Sequence, residues 1–326
     1  MTKAKYQNPF SATINGILDL FRKQIPIGEL KESDRLDGQT CLVTGANSGL
    51  GYAIAVQLIQ RGAYVMLACR SQMGETKEKL RHQFKENQFE IMHIDLSDFR
   101  NMDDFVSQLA AKNRTLDIAV FNAAMVPSGA NKLASGLDEM FQVNYLSKFY
   151  LVNKLLEKKL FKKGQKRASR MIFISSESHR TNREIEFNKL GVFEEYTMGK
   201  VIDLYGYYKL VLNTFAVELA KKLDSQKEQI DVFAMCPGPV NSNIARKAPK
   251  LVQPLMKLIF KIFFSSPEKA AKPAIFLATS NDISGRKNLY LHLMQDKAMD
   301  EKALNVENGE KLWKRSEELL KSIKPA

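Results

Sequence analysis

Tyr205 and Lys209 stand four residues apart in the run Tyr205-Gly206-Tyr207-Tyr208-Lys209. On a helix, that spacing puts the phenol and the ammonium on one face. A phenol ionises near pH 10, about three units too high for easy proton transfer at neutral pH. A neighbouring ammonium favours the phenolate, so the pair predicts a tuned proton donor and acceptor. Tyr-x3-Lys is also common as a plain surface pair. Tyr208 competes for the role, but Leu212 rather than a lysine stands four residues beyond it. Ser175 and Ser176 close an apolar run, which aims hydroxyls at whatever lies beyond a strand end. Asn144 lies within Phe141-Gln142-Val143-Asn144-Tyr145, a helical stretch where asparagine is unfavourable by propensity and so hints at a specific job. His179, close to Ser176, invites a Ser/His/acid reading. No Gly-x-Ser-x-Gly turn exposes that serine, which argues against a nucleophilic triad.

A second group of residues is suited to binding. Thr44-Gly45-Ala46-Asn47-Ser48-Gly49-Leu50-Gly51 follows the apolar run Thr40–Val43 and precedes a breaker-free stretch beginning at Tyr52. A strand, a glycine turn and a helix present unpaired backbone N–H groups to a phosphate. The glycines allow a tight turn, close approach of a pyrophosphate and close helix–strand packing. Glycine-rich turns are common, so the turn alone is weak evidence. Arg70 follows the second strand, with no Asp or Glu between 63 and 71. An acidic residue there would hold a ribose hydroxyl pair, whereas an arginine fork grips a 2′-phosphate, so NADP(H) is the expected cofactor. Asp95, at the end of strand three, can accept from adenine or cap the next helix. Asn122-Ala123-Ala124 ends strand four with small residues.

These residues need strand ends gathered on one side of a sheet. Strands are expected at Thr40–Val43, Ala63–Cys69, Glu90–Ile94, Ile118–Asn122, Met171–Ser175, Ile230–Cys236 and Asn288–Leu291. Helical stretches near 49–61, 73–86, 98–112, 135–161, 203–223 and 267–279 lie between them. This alternation predicts an α/β fold: a single Rossmann-type doubly wound sheet of about seven parallel strands with helices on both faces. Its ligand crevice lies beyond the carboxyl ends of the strands. The expected organisation is an N-terminal helical arm (1–36), a nucleotide-binding domain (37–295) and a C-terminal helical extension (296–326). Phe10, Ile14, Ile17, Leu18 and Phe21 give the arm one apolar face.

The 326 residues carry a net charge of +13, which suits an anionic partner or a lysine-rich solvated surface. The basic cluster Lys158 to Arg170 leads into a strand start, opposite the crevice, and reads as solvated surface. No nucleic-acid motif accompanies the charge. Cys41, Cys69 and Cys236 lie far apart without metal-ligand spacing, which predicts buried reduced thiols, no metal and a cytoplasmic setting. Nothing resembles a signal peptide or the roughly 18 uncharged apolar residues of a membrane span.

Taken together, Thr44 to Gly51, Asn122-Ala123-Ala124, Asn144, Ser176, Tyr205/Lys209 and Pro237-Gly238 resemble the short-chain dehydrogenase/reductase family in motif and order over about 38–295. Ala68-Cys69-Arg70, Phe141 to Asn144, Ser175 to Arg180 and Leu312 to Glu317 are similar to its retinol-dehydrogenase branch and to the oxidoreductase domain of the WW-domain-containing oxidoreductase. WW domains are absent, since Trp313 is the single tryptophan. Ala124 departs from the family's usual glycine. The resemblance implies hydride transfer between NADPH and a carbonyl carbon. Tyr205 is then the general acid/base, Ser176 holds the substrate oxygen, Lys209 tunes Tyr205 and holds the ribose, and Asn144 holds a relay water. The cofactor contacts it implies are Gly45, Asn47, Ser48, Gly49, Leu50, Gly51, Arg70, Asp95, Leu96, Asn122, Ala123, Tyr205, Lys209, Pro237 and Gly238. A catalytically silent cofactor-binding scaffold and a sugar-nucleotide epimerase-type relative are the alternatives; the three residues between the first two glycines disfavour the latter. Residues 237–266 read as a substrate lid, apolar at Leu251, Leu255, Leu258, Ile259, Ile262 and Phe263, with Lys257 and Lys261 interleaved. A lipophilic alcohol, aldehyde or ketone is the expected substrate, with peripheral contact to an intracellular membrane through the lid and the arm as a further expectation.

Overall fold

The computed structural model describes residues 26–165, 167–239 and 265–323. Most of the N-terminal arm and of the expected lid fall outside the described residues, and with them the membrane contact expected of both. Eight strands form one sheet in the order β3-β2-β1-β4-β5-β6-β7-β8. They are β1 (Thr40–Thr44), β2 (Tyr64–Cys69), β3 (Phe89–His93), β4 (Ile118–Phe121), β5 (Ser169–Ile174), β6 (Ile230–Cys236), β7 (Tyr290–His292) and β8 (Gln295–Asp296). The first seven are parallel, and β8 returns antiparallel to β7. A two-residue strand has too few positions to show alternation, so β8 gave no sequence signal. β7 starts two residues later than expected, because Asn288 turns with φ +55°.

Alternate strand residues feed two cores. Leu42, Met66 and Ala68 face one core, while Cys41, Val43, Val65 and Leu67 face the other. Helices α3 (Phe99–Ala111), α4 (Ser147–Glu157), α5 (Met198–Ser225) and α8 (Val306–Ser322) supply the first core, joined by the short α7 (Glu301–Leu304). Helices α1 (Gly49–Gln60), α2 (Met73–Arg81) and α6 (Pro267–Thr279) supply the second. Burial on both faces explains why the strands read as continuous apolar runs rather than alternating ones.

The helix expected over 135–161 is subdivided. Asp138 caps a helical turn at Glu139–Phe141 by accepting from Phe141 N–H at 2.8 Å. A π-turn spans Gln142–Leu146 before α4 begins. Such turns insert an extra residue and commonly mark functional sites. The C-terminal helices pack on α5 through Trp313, whose ring lies 5.0 Å from Phe149 and 6.0 Å from Phe215. The three cysteines are buried and unpaired, as expected.

Two members of the basic cluster are corrected by the structure. Arg170 is fully buried, not solvated. Its guanidinium donates to the carbonyls of Leu277 and Ser280 at 2.7 and 2.6 Å and to Ser284 Oγ at 3.0 Å. Arg167 donates to the Ala278 carbonyl at 2.6 Å. Both satisfy the last carbonyls of α6, where a cation also meets the negative end of the helix. Replacing Arg170 by methionine leaves these buried acceptors unmet, and we expect a loss of about 3 kcal/mol of stability with the secondary structure retained. Paired thermal melts and circular dichroism spectra measure both; an unchanged midpoint would contradict the clamp.

Candidate active site

Where β1 and β4 part at their carboxyl ends, a cavity of about 670 Å³ opens. Thr44 fixes its edge. Its Oγ1 accepts from the backbone N–H groups of Asn122 and Ala123 at 3.0 and 3.2 Å. In return, Asn122 Nδ2 donates to the carbonyls of Thr44 and Gly45 at 3.0 and 3.2 Å. Gly45 turns with φ +66°, and a β-carbon there would lie 2.9 Å from Ala123 Cα. At Gly51 a β-carbon would strike the Gly45 carbonyl and the Asn122 amide. Glycine is therefore needed at both places for steric reasons. Ser48, the residue before α1, makes no side-chain cap, and the first turn holds no acid. The N–H groups and positive end of α1 thus remain available to an anion. This cradle fits a dinucleotide pyrophosphate.

Gly45, Asn47, Ser48, Gly49, Leu50, Gly51, Arg70, Asp95, Leu96, Asn122, Ala123, Ser176, Tyr205, Lys209, Pro237 and Gly238 all line this cavity. Ala124 and Ser175 line it too. Asn144 does not; Val143 takes a place in the wall instead. The Asn144 amide clamps the loop after β4, accepting from Met125 N–H and donating to the Met125 carbonyl, each at 2.8 Å. Asp95 accepts from Ser97 N–H and Oγ, and the cap of α3 falls to Asp98. Arg70 reaches out with 60% of its side chain exposed, 3.8 Å from Glu139. Tyr208 turns away from the cavity and packs on Phe141.

The electrostatics differ from the sequence expectation for Tyr205. Lys209 Nζ sits 5.4 Å from the Tyr205 ring centroid and donates to the Ile174 carbonyl at 2.7 Å. Placed over the ring rather than at the hydroxyl, it does not lower the phenol. Burial, with Cys236 adding to it, holds Tyr205 above its ordinary value. Burial also pushes Lys209 down to about 8, against an opposing pull from Cys236. Ser176 Oγ accepts from Ser178 N–H and lies 2.9 Å from Ser178 Oγ. His179 bonds the Ser176 carbonyl, not its hydroxyl, through Nδ1 at 2.7 Å, and its Nε2 accepts from Asp300 N–H. No Ser/His couple forms.

Glu177 and His292 also line the cavity and escaped notice in the sequence. Glu177 is buried yet accepts from Tyr290 OH at 2.9 Å and pairs with Arg180 at 3.2 Å and Lys297 at 3.5 Å. A lone acid in a serine run was the available signal. Burial alone raises its carboxyl; Arg180, His292, His179 and Lys297 outweigh that and hold it down to about 2. Burial, helped by Arg180, pushes His179 down to about 4.

Both groups bind fewer protons folded than unfolded, so both remove stability as pH falls. The His179 contribution is lost between about 6.5 and 4, and that of Glu177 between about 4.5 and 2. We expect thermal midpoints to decline in two steps, and Glu177→Gln to lower the midpoint at pH 7 while flattening the more acidic step. A mutant curve parallel to that of the unmodified protein below pH 4.5 would remove Glu177 from this role.

Comparison with known proteins matches the geometry. The short chain dehydrogenase family model matches residues 39–186. The chain is 30% identical to mouse retinol dehydrogenase 14 over 303 residues, covering 89% of this chain and 88% of that protein. It is 29% identical to the chicken WW domain-containing oxidoreductase over 90% of this chain and 70% of that one. Its fold matches the Pseudomonas aeruginosa RhlG/NADP active-site complex with a TM-score of 0.62 at 24% identity, covering 81% of this chain and 98% of that one. With its glycine cradle and its Ser-Tyr-Lys wall on one cavity, the chain belongs to the short-chain dehydrogenase/reductase family of oxidoreductases.

Proposed function

We propose that this protein is an NADP(H)-dependent oxidoreductase that interconverts a lipophilic alcohol and its aldehyde or ketone. The observation that carries this is the placement of Ser176, Tyr205 and Lys209 on the wall of the cavity that also holds the glycine cradle and Arg70. The nicotinamide cofactor, when bound, supplies or takes the hydride. The residues of the chain do the rest. Ser176 hydrogen-bonds the substrate oxygen where negative charge develops. Tyr205, held protonated at neutral pH by its buried setting, gives its proton to that oxygen in carbonyl reduction. In alcohol oxidation the same atom takes the proton back. Lys209, placed over the Tyr205 ring, supplies a donor for the cofactor ribose. Asn144 holds the Met125 loop in place rather than facing the substrate.

The exposed Arg70 fork is the support for NADP(H) over NAD(H). A lipophilic substrate is supported by Met125, Val143 and Ile174 in the wall and by the retinol dehydrogenases among the relatives. Ala124, exposed at the cavity where the family pattern has glycine, favours the second reading, a scaffold that binds cofactor without turnover.

Tyr205→Phe separates the two. We expect kcat with NADPH and a panel of aldehydes and ketones to fall by about a thousandfold with the NADPH Kd unchanged. Retained turnover would refute the role of Tyr205, and absence of turnover in the unmodified protein across the panel would favour the scaffold. For Arg70→Ala, loss of a charge-assisted phosphate contact of about 1.5–3 kcal/mol raises the KM for NADPH roughly 10- to 100-fold. The KM for NADH stays put. Equal effects on both cofactors would contradict a 2′-phosphate contact.

A further inference from the structure

Glu139 has no part in the chemistry above, yet its Oε1 lies 3.8 Å from Nη1 of Arg70, the fork assigned to the 2′-phosphate. The two residues come from separate parts of the chain. Arg70 directly follows β2, and Glu139 opens the helical turn at Glu139–Phe141 beyond β4. Arg70 lines the cavity together with Asn47, Ser48 and Ser71, whereas Glu139 does not.

The acid is the anchored member of the pair. Its backbone N–H donates to the Asn131 carbonyl at 2.9 Å, and Asn131 Nδ2 donates to Glu139 Oε2 at 2.8 Å. One carboxylate oxygen is thus committed to the loop after β4, and the other meets Arg70. Only 17% of the Glu139 side chain is exposed, against 60% for Arg70. At 3.8 Å the contact is an ion pair without a hydrogen bond, since N–H···O bonds end near 3.2 Å. Among the described residues the Arg70 guanidinium makes no hydrogen bond and pairs with no second acid. Its donors therefore remain available while its charge is drawn toward Glu139.

We propose that Glu139 is a positioning residue for Arg70 that limits NADP(H) affinity by competing with the 2′-phosphate for the guanidinium. This rests on the assignment of Arg70 to that phosphate made above. A phosphate with nearly two negative charges and three acceptor oxygens prevails over one carboxylate held beyond hydrogen-bond reach. A 2′-hydroxyl carries no charge and leaves Arg70 with Glu139. NADP(H) binding therefore draws Arg70 off the acid, and the broken ion pair offsets part of the phosphate contact. NAD(H) binding breaks no such pair. For an ion pair this exposed, the offset is about two- to fivefold in a binding constant.

Fluorescence titration of the full chain with NADPH and with NADH tests this, because it reads binding without turnover. Glu139→Gln keeps an oxygen for Asn131 Nδ2 and removes the charge. We expect it to lower the NADPH Kd about two- to fivefold and to leave the NADH Kd unchanged. In an Arg70→Ala background the same substitution has no effect on either. A merely structural role for Glu139 would move both cofactors alike. An unchanged or raised NADPH Kd, an equal gain for NADH, or a gain that survives in Arg70→Ala overturns the proposal. Should Glu139→Gln fail to fold, Glu139→Asp, which draws the carboxylate back by one methylene, decides by the same criteria. If Arg70→Ala alone leaves the NADPH Kd unchanged or weakens both cofactors equally, the 2′-phosphate assignment fails and this proposal with it. A selective loss in Arg70→Ala with no gain in Glu139→Gln sinks this proposal alone.

Discussion

The site depends on how β1 and β4, neighbours in the sheet, are tied together at the point where their chains diverge. Parallel strands here send their following segments to opposite faces, which opens a crevice and strands backbone groups at its lip. Thr44 and Asn122 resolve this reciprocally, each side chain meeting the backbone of the other strand. The same exchange brings the Asn122 amide to within touching distance of Gly51, so the tie and the glycine turn enforce one another. With the lip fixed, α1 can present its N-terminus to the cavity without a cap of its own.

Charged side chains inside the body do the work of holding the sheet's far half. Arg167 and Arg170 grip the last carbonyls of α6 from the amino end of β5, and Glu177 at the other end of that strand gathers Tyr290, Arg180 and Lys297. A short hairpin of five strand residues could not stay on the sheet by its own ladder. Its ties to Glu177 place His292 in the cavity wall.

Desolvation governs the chemistry of the centre more than pairwise charge does. Tyr205 and Lys209 both move toward their neutral forms. A neutral phenol on the cavity wall is the form that can give up a proton. The π-turn carries Asn144, whose amide holds the Met125 backbone in the loop after β4.

Legible in the sequence were the fold class, five of the seven parallel strands to within a residue, the glycine turn and over half of the residues on the cavity wall. These rest on local signals: apolar runs of strand length, glycines that only a tight turn requires, and strand ends that a parallel sheet must gather on one side. Tertiary structure decided what local pattern cannot carry. Arg170 looked like one more member of a basic surface run, and only the arrival of α6, more than a hundred residues later, made it a buried clamp. Asn144 read as a residue with a task, and its clamp on the Met125 backbone is made from a π-turn that periodicity does not reveal. Glu177 and the raised phenol of Tyr205 share one cause: burial and the identity of distant neighbours set the charge of a side chain, and neither is written at its own position in the chain.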